Sequence, residues 1–125
     1  MPVDSPERES FKILNPLGED TSIMRTTTLP SMLEILTRNY NFRNKEVRLY
    51  ELGRTYHLGG KDGLAIEKKY LTLGTYGAKV NFFTVKGLVE AIMKDLRAEN
   101  VRFEACTDNP SYHPGRCASV WAGDE

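Results

Sequence analysis

The hydrophobic positions fall into helix-like and strand-like stretches separated by polar turns. Leu29, Met32, Leu33, Leu36 and Tyr40 recur at helical spacing, and Pro30 or Ser31 suits the first turn. Val85, Leu88, Val89, Ile92, Met93 and Leu96 form a second, broader stripe, with Thr84 expected as its N-cap. Residues 47–58 predict a long strand, rich in Val, Leu and Tyr, with apolar residues on both faces. Val47 and Leu49 point one way, Tyr50, Leu52 and Tyr56 the other. Gly59-Gly60-Lys61-Asp62-Gly63 is expected to turn the chain back into a strand over 70–76. Shorter strands are expected at 11–17, 101–106 and 117–122. The resulting order, β-α-β-β-α-β-β, predicts an α+β domain: a largely antiparallel sheet with helices on one face.

Composition narrows the class without choosing a function. The 125 residues fit one domain, 40% hydrophobic and 27% charged, the balance of a soluble globular chain. Residues 1–10 are polar, hold two of the prolines, and are expected to form a flexible leader before a module over 11–125. Seventeen basic residues are matched by 17 acidic ones, which argues against a free-standing nucleic-acid grip, since phosphate binding shows as a basic surplus. The start, Met1-Pro2-Val3-Asp4-Ser5-Pro6, has neither the basic nor the apolar region of a signal peptide. No apolar run approaches a membrane span, so a cytoplasmic location and no membrane contact are expected. The last residues follow directly on a strand-like segment, which predicts a module cut at its C-terminus, a fragment of a longer polypeptide.

Candidate chemistry is sparse. Cys106 and Cys117 have no further ligands in zinc-like spacing, and His57 and His113 stand alone. Two reduced, mostly buried thiols are expected, and no metal site. The glycine-rich turn at 59–63 lacks phosphate-loop spacing and serves better as a hairpin. Asp108, Ser111 and His113 are not arranged around a positioned nucleophile. No catalytic residue is expected.

Several segments carry a family resemblance. They are Asn15-Pro16-Leu17-Gly18-Glu19-Asp20, Ser22-Ile23-Met24-Arg25-Thr26 and Leu29-Pro30-Ser31-Met32-Leu33, then Leu49-Tyr50-Glu51-Leu52-Gly53-Arg54-Thr55-Tyr56, Phe83-Thr84-Val85-Lys86-Gly87-Leu88-Val89-Glu90 and His113-Pro114-Gly115-Arg116. In this order they resemble the beta chain of bacterial phenylalanyl-tRNA synthetase over nearly the whole sequence past residue 10. The resemblance implies a class II aminoacyl-tRNA synthetase core-like module, here truncated and without its own catalysis. It implies an alpha2-beta2 assembly in which the alpha chain attaches phenylalanine to tRNA with ATP and magnesium. No cofactor is expected in this fragment, and tRNA is met only through the holoenzyme.

The resemblance can be tested on the strand ending at His57. The catalytic relative places an arginine after the aromatic residue, closely followed by an acid. Here His57 is followed by Leu58-Gly59-Gly60, with no acid before Asp62. A mostly neutral imidazole does not replace a fixed guanidinium fork. The remaining candidates are contacts. Tyr40 and Phe42, at the end of the first helix, are expected to anchor a subunit interface, as aromatics commonly do. Arg25, His113 and Arg116 either contact an anion or order their own loops, and loop ordering is preferred. The alternatives to a scaffolding role are a remnant ATP or amino-acid pocket, and an RNA-binding module built on Arg38, Arg43, Lys45 and Arg48 with Lys68 and Lys69.

Overall fold

The computed structural model describes residues 4–123. Chain contacts divide them into two units, one ending at Ala78 and the other beginning at Lys79.

The first unit is a helix on a long hairpin. Helix α1 spans Leu29–Asn41, with Pro30 in its first turn, where a missing N–H costs nothing. It stops because Arg43 turns left-handed at φ 61°, letting the Arg43 N–H reach the Tyr40 carbonyl at 2.8 Å and the Asn44 N–H reach Asn39 at 3.2 Å. Strands β1, Val47–His57, and β2, Ile66–Tyr76, pair antiparallel along their whole length. β2 therefore begins at Ile66, earlier than the apolar pattern predicts. Glu67, Lys68 and Lys69 are polar, but the ladder to Tyr56, Thr55 and Arg54 holds them extended. The strand expected at 11–17 is reduced to one bridge, Lys12 to Ile23, with Leu14 and Leu17 exposed.

The hairpin buries one face. Alternate residues of β1, namely Val47, Gly53 and Thr55, are buried while Arg48, Tyr50, Leu52 and Arg54 are exposed. α1 lies over the buried face. Met32, 3% exposed, occupies the space above Gly74: a Cβ there would come within 2.5 Å of the Met32 sulfur and 3.0 Å of Leu36 Cδ1. The contact is completed by polar groups, as Thr28 and Thr72 share a hydroxyl hydrogen bond of 2.6 Å. The Thr26 hydroxyl, buried, donates to the Glu7 carbonyl, which lies in the 3₁₀ turn Pro6–Arg8. Among the described residues, Met32 and Val47 are the buried hydrophobic ones. The core is thin.

The second unit holds α2, Phe82–Asp95, and the short strands β3, Arg102–Ala105, and β4, Ala118–Trp121. The cap of α2 is Asn81, not Thr84. Asn81 Oδ1 accepts the Thr84 N–H at 3.0 Å, and the Asn81 N–H donates to the Thr84 hydroxyl at 3.3 Å. This reciprocal box moves the helix start earlier than Thr84 alone would place it. β3 and β4 pair antiparallel, and the Gly123 N–H closes onto the Glu99 carbonyl at 3.0 Å.

The fold is α+β, but its strands form two separate two-stranded sheets, β1-β2 and β3-β4, not the one larger sheet expected. Alternation within a strand reports its faces and says nothing of which non-adjacent edges pair.

The seat of Met32 makes a direct prediction. Gly74→Val must displace the Met32 side chain or lift α1, at a cost of about 1–3 kcal/mol. Urea unfolding followed by circular dichroism should show a lower midpoint, and an unchanged midpoint would mean that α1 does not depend on this seat.

Candidate functional site

The buried face of the hairpin has a second vacancy beside the first. Gly53 leaves open a space that the Arg25 guanidinium and the Glu51 carboxylate fill: a Cβ at Gly53 would collide with Arg25 Nη2 and come within 2.5 Å of Glu51 Oε1. Arg25 Nη2 pairs with Glu51 Oε1 at 2.5 Å. Its Nε donates to the Arg54 carbonyl at 2.8 Å, and its own carbonyl accepts the Tyr56 N–H at 2.9 Å. Arg25 is thus tied through side chain and backbone to β1. The ion pair is partly exposed, so its Coulomb energy is small. The charged hydrogen bond to a carbonyl adds more.

His57, at the end of β1, has Nε2 2.9 Å from the hydroxyl of Thr55, which is 1% exposed. The next acid along the chain, Asp62, lies in the turn Lys61–Gly63 with φ 56°. Among the described residues, no group of three His, Cys, Asp or Glu side chains is placed to hold a metal ion. No described helix is long and apolar enough to cross a membrane.

His113 and Arg116 share a turn. The Gly115 N–H donates to His113 Nδ1 at 3.1 Å, and the Arg116 N–H donates to the His113 carbonyl at 2.9 Å. Glu90 pairs with Lys86 at 2.9 Å, the neighbour one helical turn away. Arg116 lines a groove of about 520 Å³ with Val85, Val89, Phe103, Tyr112 and both cysteines.

The cysteines are half-buried, not mostly buried. Burial, first, pushes the Cys117 thiol above the usual cysteine range, aided by a hydrogen bond with Cys106 and by the charges of Cys106 and Asp108.

Tyr40 and Phe42 are 70% and 72% exposed. The Tyr40 ring meets Tyr76 edge-on at 6.0 Å, and both line a groove with Arg43 and Lys45. A further apolar surface lies on the outer face of the hairpin, which the candidate residues above do not include. Tyr50 pairs with Leu73 and Leu52 with Leu71, and Tyr50 and Leu52 are 77% and 74% exposed. The signal was present as apolar residues on both faces of β1. A strand with two apolar faces and one covering helix leaves one face bare.

The whole chain, residues 1–125, matches the family model described as the phenylalanyl tRNA synthetase beta chain CLM domain. It is 41% identical over 121 residues to the phenylalanine–tRNA ligase beta subunit of Clostridium acetobutylicum, covering 96% of this chain and 15% of that protein. It is 39% identical to that of Clostridium tetani, covering 100% of this chain and 16% of the relative. With that of Moorella thermoacetica it shares 38% identity, covering 98% of this chain and 16% of the relative. The chain therefore spans about a sixth of the length of these relatives.

Two predictions follow from the local geometry. Gly53→Val should expel the Arg25 guanidinium and cost about 1–3 kcal/mol, read as a lower urea midpoint. The same loss on an Arg25→Ala background would show that the clamp is not what Gly53 accommodates. For Cys117, alkylation by iodoacetamide should reach half its maximal rate at a higher pH in the folded chain than in urea. A raised thiol pKa holds the proton more tightly when folded. Its stability contribution is complete below the unfolded pKa and is lost as pH rises through the folded one. Coincident alkylation midpoints would refute the shift.

Proposed function

This chain belongs to the phenylalanyl-tRNA synthetase beta chain family, and from that premise we propose that it is a non-catalytic scaffolding and assembly module with a class II synthetase core-like fold. In this reading it supports ATP-dependent attachment of phenylalanine to tRNA by the alpha chain, inside an alpha2-beta2 assembly in the cytoplasm. The observation that carries it is the bare apolar face of the hairpin, Tyr50, Leu52 and Leu71, on a module whose own core is thin. An exposed apolar patch of this kind marks a surface that another chain covers, and the proposed occupant is the alpha chain. Tyr40 and Phe42 form a second aromatic contact at the end of α1.

The polar residues take structural roles in the same reading. Arg25 clamps the 22–28 segment onto β1, and His113 with Arg116 shapes the turn before β4. ATP and magnesium belong on the alpha chain. The residues here do not fit them: His57 is engaged with Thr55 where a class II site needs a guanidinium, and Leu58, Gly59 and Gly60 follow it. No step of the chemistry is derived on this chain. Residues 1–10 lead into the module, tied to it at the Glu7 carbonyl that accepts the Thr26 hydroxyl, and the first three of them lie outside the described residues. The groove beside Arg43 and Lys45 favours RNA contact as a second reading, although those two cations belong to a chain with no net charge.

The test is assembly of the native beta polypeptide with its alpha chain, measured by sedimentation and by tRNA charging. Tyr50→Ser with Leu52→Ser should weaken association by about tenfold or more, as loss of a desolvated interface anchor does. Tyr40→Ala with Phe42→Ala should do so to a smaller degree. If both pairs leave assembly unchanged, the scaffolding reading fails. If Tyr50→Ser with Leu52→Ser instead lowers only the stability of the isolated beta polypeptide, the face is covered from within that polypeptide and the alpha-chain interface is refuted.

A further inference from the structure

Cys106 and Cys117 follow β3 and precede β4, so that they continue the ladder one step past the Ala105–Ala118 pair. The ladder is maintained there, since the Cys106 N–H donates to the Cys117 carbonyl at 3.0 Å. Facing residues in such a hydrogen-bonded antiparallel pair have Cα atoms about 5.5 Å apart. That lies inside the roughly 4.4–6.8 Å that a disulfide spans. The side chains are close as well, since Cys106 contributes to the raised Cys117 thiol. Both are free and half-buried. They line the groove of about 520 Å³, a volume typical of small-molecule pockets, so a small reagent can reach them. The Cys106 thiol donates to Asp108 Oδ1 at 3.3 Å.

We propose that Cys106 and Cys117 are a redox-active dithiol, a site that closes to an intramolecular disulfide by exchange with a low-molecular-weight disulfide such as oxidised glutathione. One cysteine, as the thiolate, attacks a sulfur of the small disulfide. The S–S bond of the reagent breaks, a small thiolate leaves and takes up a proton, and a mixed disulfide remains on the protein. The second cysteine, deprotonated in turn, attacks the protein sulfur of that mixed disulfide and expels the second small thiol. Two protein thiols are oxidised by two electrons and one disulfide is reduced to two thiols, with no proton left over.

Two features make the pair more than two neighbouring cysteines. The loop over 107–116 is already closed by the ladder, so oxidation asks little further ordering of it. The pair sits at the open end of a two-stranded sheet, where a bond adds a tie without entering a packed core. The inference does not depend on the scaffolding role.

The test uses the native polypeptide that carries this sequence, equilibrated in glutathione redox buffers of stepped composition, then alkylated, digested and mapped by mass spectrometry. The expected product is a peptide pair joined through Cys106 and Cys117, with assembly and secondary structure retained. The effective concentration of the pair should be at least about tenfold higher in the folded chain than in urea, because the native ladder pre-aligns the sulfurs. Cys117→Ser should stop at the mixed disulfide on Cys106. The proposal is overturned if both cysteines remain alkylatable across the series, or if each carries its own glutathione without a joined pair. It is equally overturned if the folded chain closes no more readily than the unfolded one.

Discussion

The larger unit rests on two absent side chains. Gly74 and Gly53 lie on the same face of the β1-β2 hairpin, and each leaves a space that a partner from the preceding segment fills. Over Gly74 the tenant is apolar, the Met32 sulfur, and it docks α1. Over Gly53 it is an ion pair, Arg25 with Glu51, and it docks the chain leading into α1. Between them Thr28 and Thr72 share a hydrogen bond. A single face therefore accepts a thioether, a hydroxyl pair and a guanidinium within a few residues. Such an interface selects one register of helix on sheet, because a slip would set a charge or a hydroxyl against apolar atoms without its partner.

That mode of packing explains why so little apolar surface is buried. Thr26, Thr28 and Thr55 are buried alongside Met32 and Val47, so the interior is as much polar as apolar. Hydroxyl hydrogen bonds specify geometry while contributing only about 1 kcal/mol net each. Hydrophobic burial, which supplies most folding free energy, is correspondingly thin. Meanwhile Tyr50, Leu52 and Leu71 remain outside on the far face. A module with this ledger gains more from being covered than from further internal packing, which is the physical case for reading it as one part of an assembly.

The helices and the first long strand were legible because their signals are local. The stripes of α1 and α2 and the run from Val47 need only their own residues to be recognised. What escaped was set by partners distant in sequence. Ile66 to Lys69 is extended because β1 lies beside it, not because its side chains prefer a strand. The stretch at 11–17 looked extended, but only its start is tied, by the Lys12–Ile23 bridge and the backbone hydrogen bonds of Phe11 and Ile13 on either side of it. The division into two sheets is an edge-pairing choice that alternation cannot encode. At the helix start, Thr84 was recognised as a capping residue, but its reciprocal partner Asn81 takes the cap position itself.

The candidate site divides along the same line. Arg25 stood out by its position in a motif, yet its contacts depend on Gly53 and Glu51, residues of β1 remote from it in sequence. Tyr40 and Phe42 were legible as aromatics at a helix end. Tyr50 and Leu52 were equally visible as letters, but their meaning required knowing that their own unit supplies α1 to one face of the hairpin and no described element to the other. Pattern reports which residues share a face, and only the fold reports whether that face is covered. For a chain that spans about a sixth of its relatives' length, the uncovered face is the one on which the proposed assembly role rests, since the residues that solve the internal packing problem are spent within it.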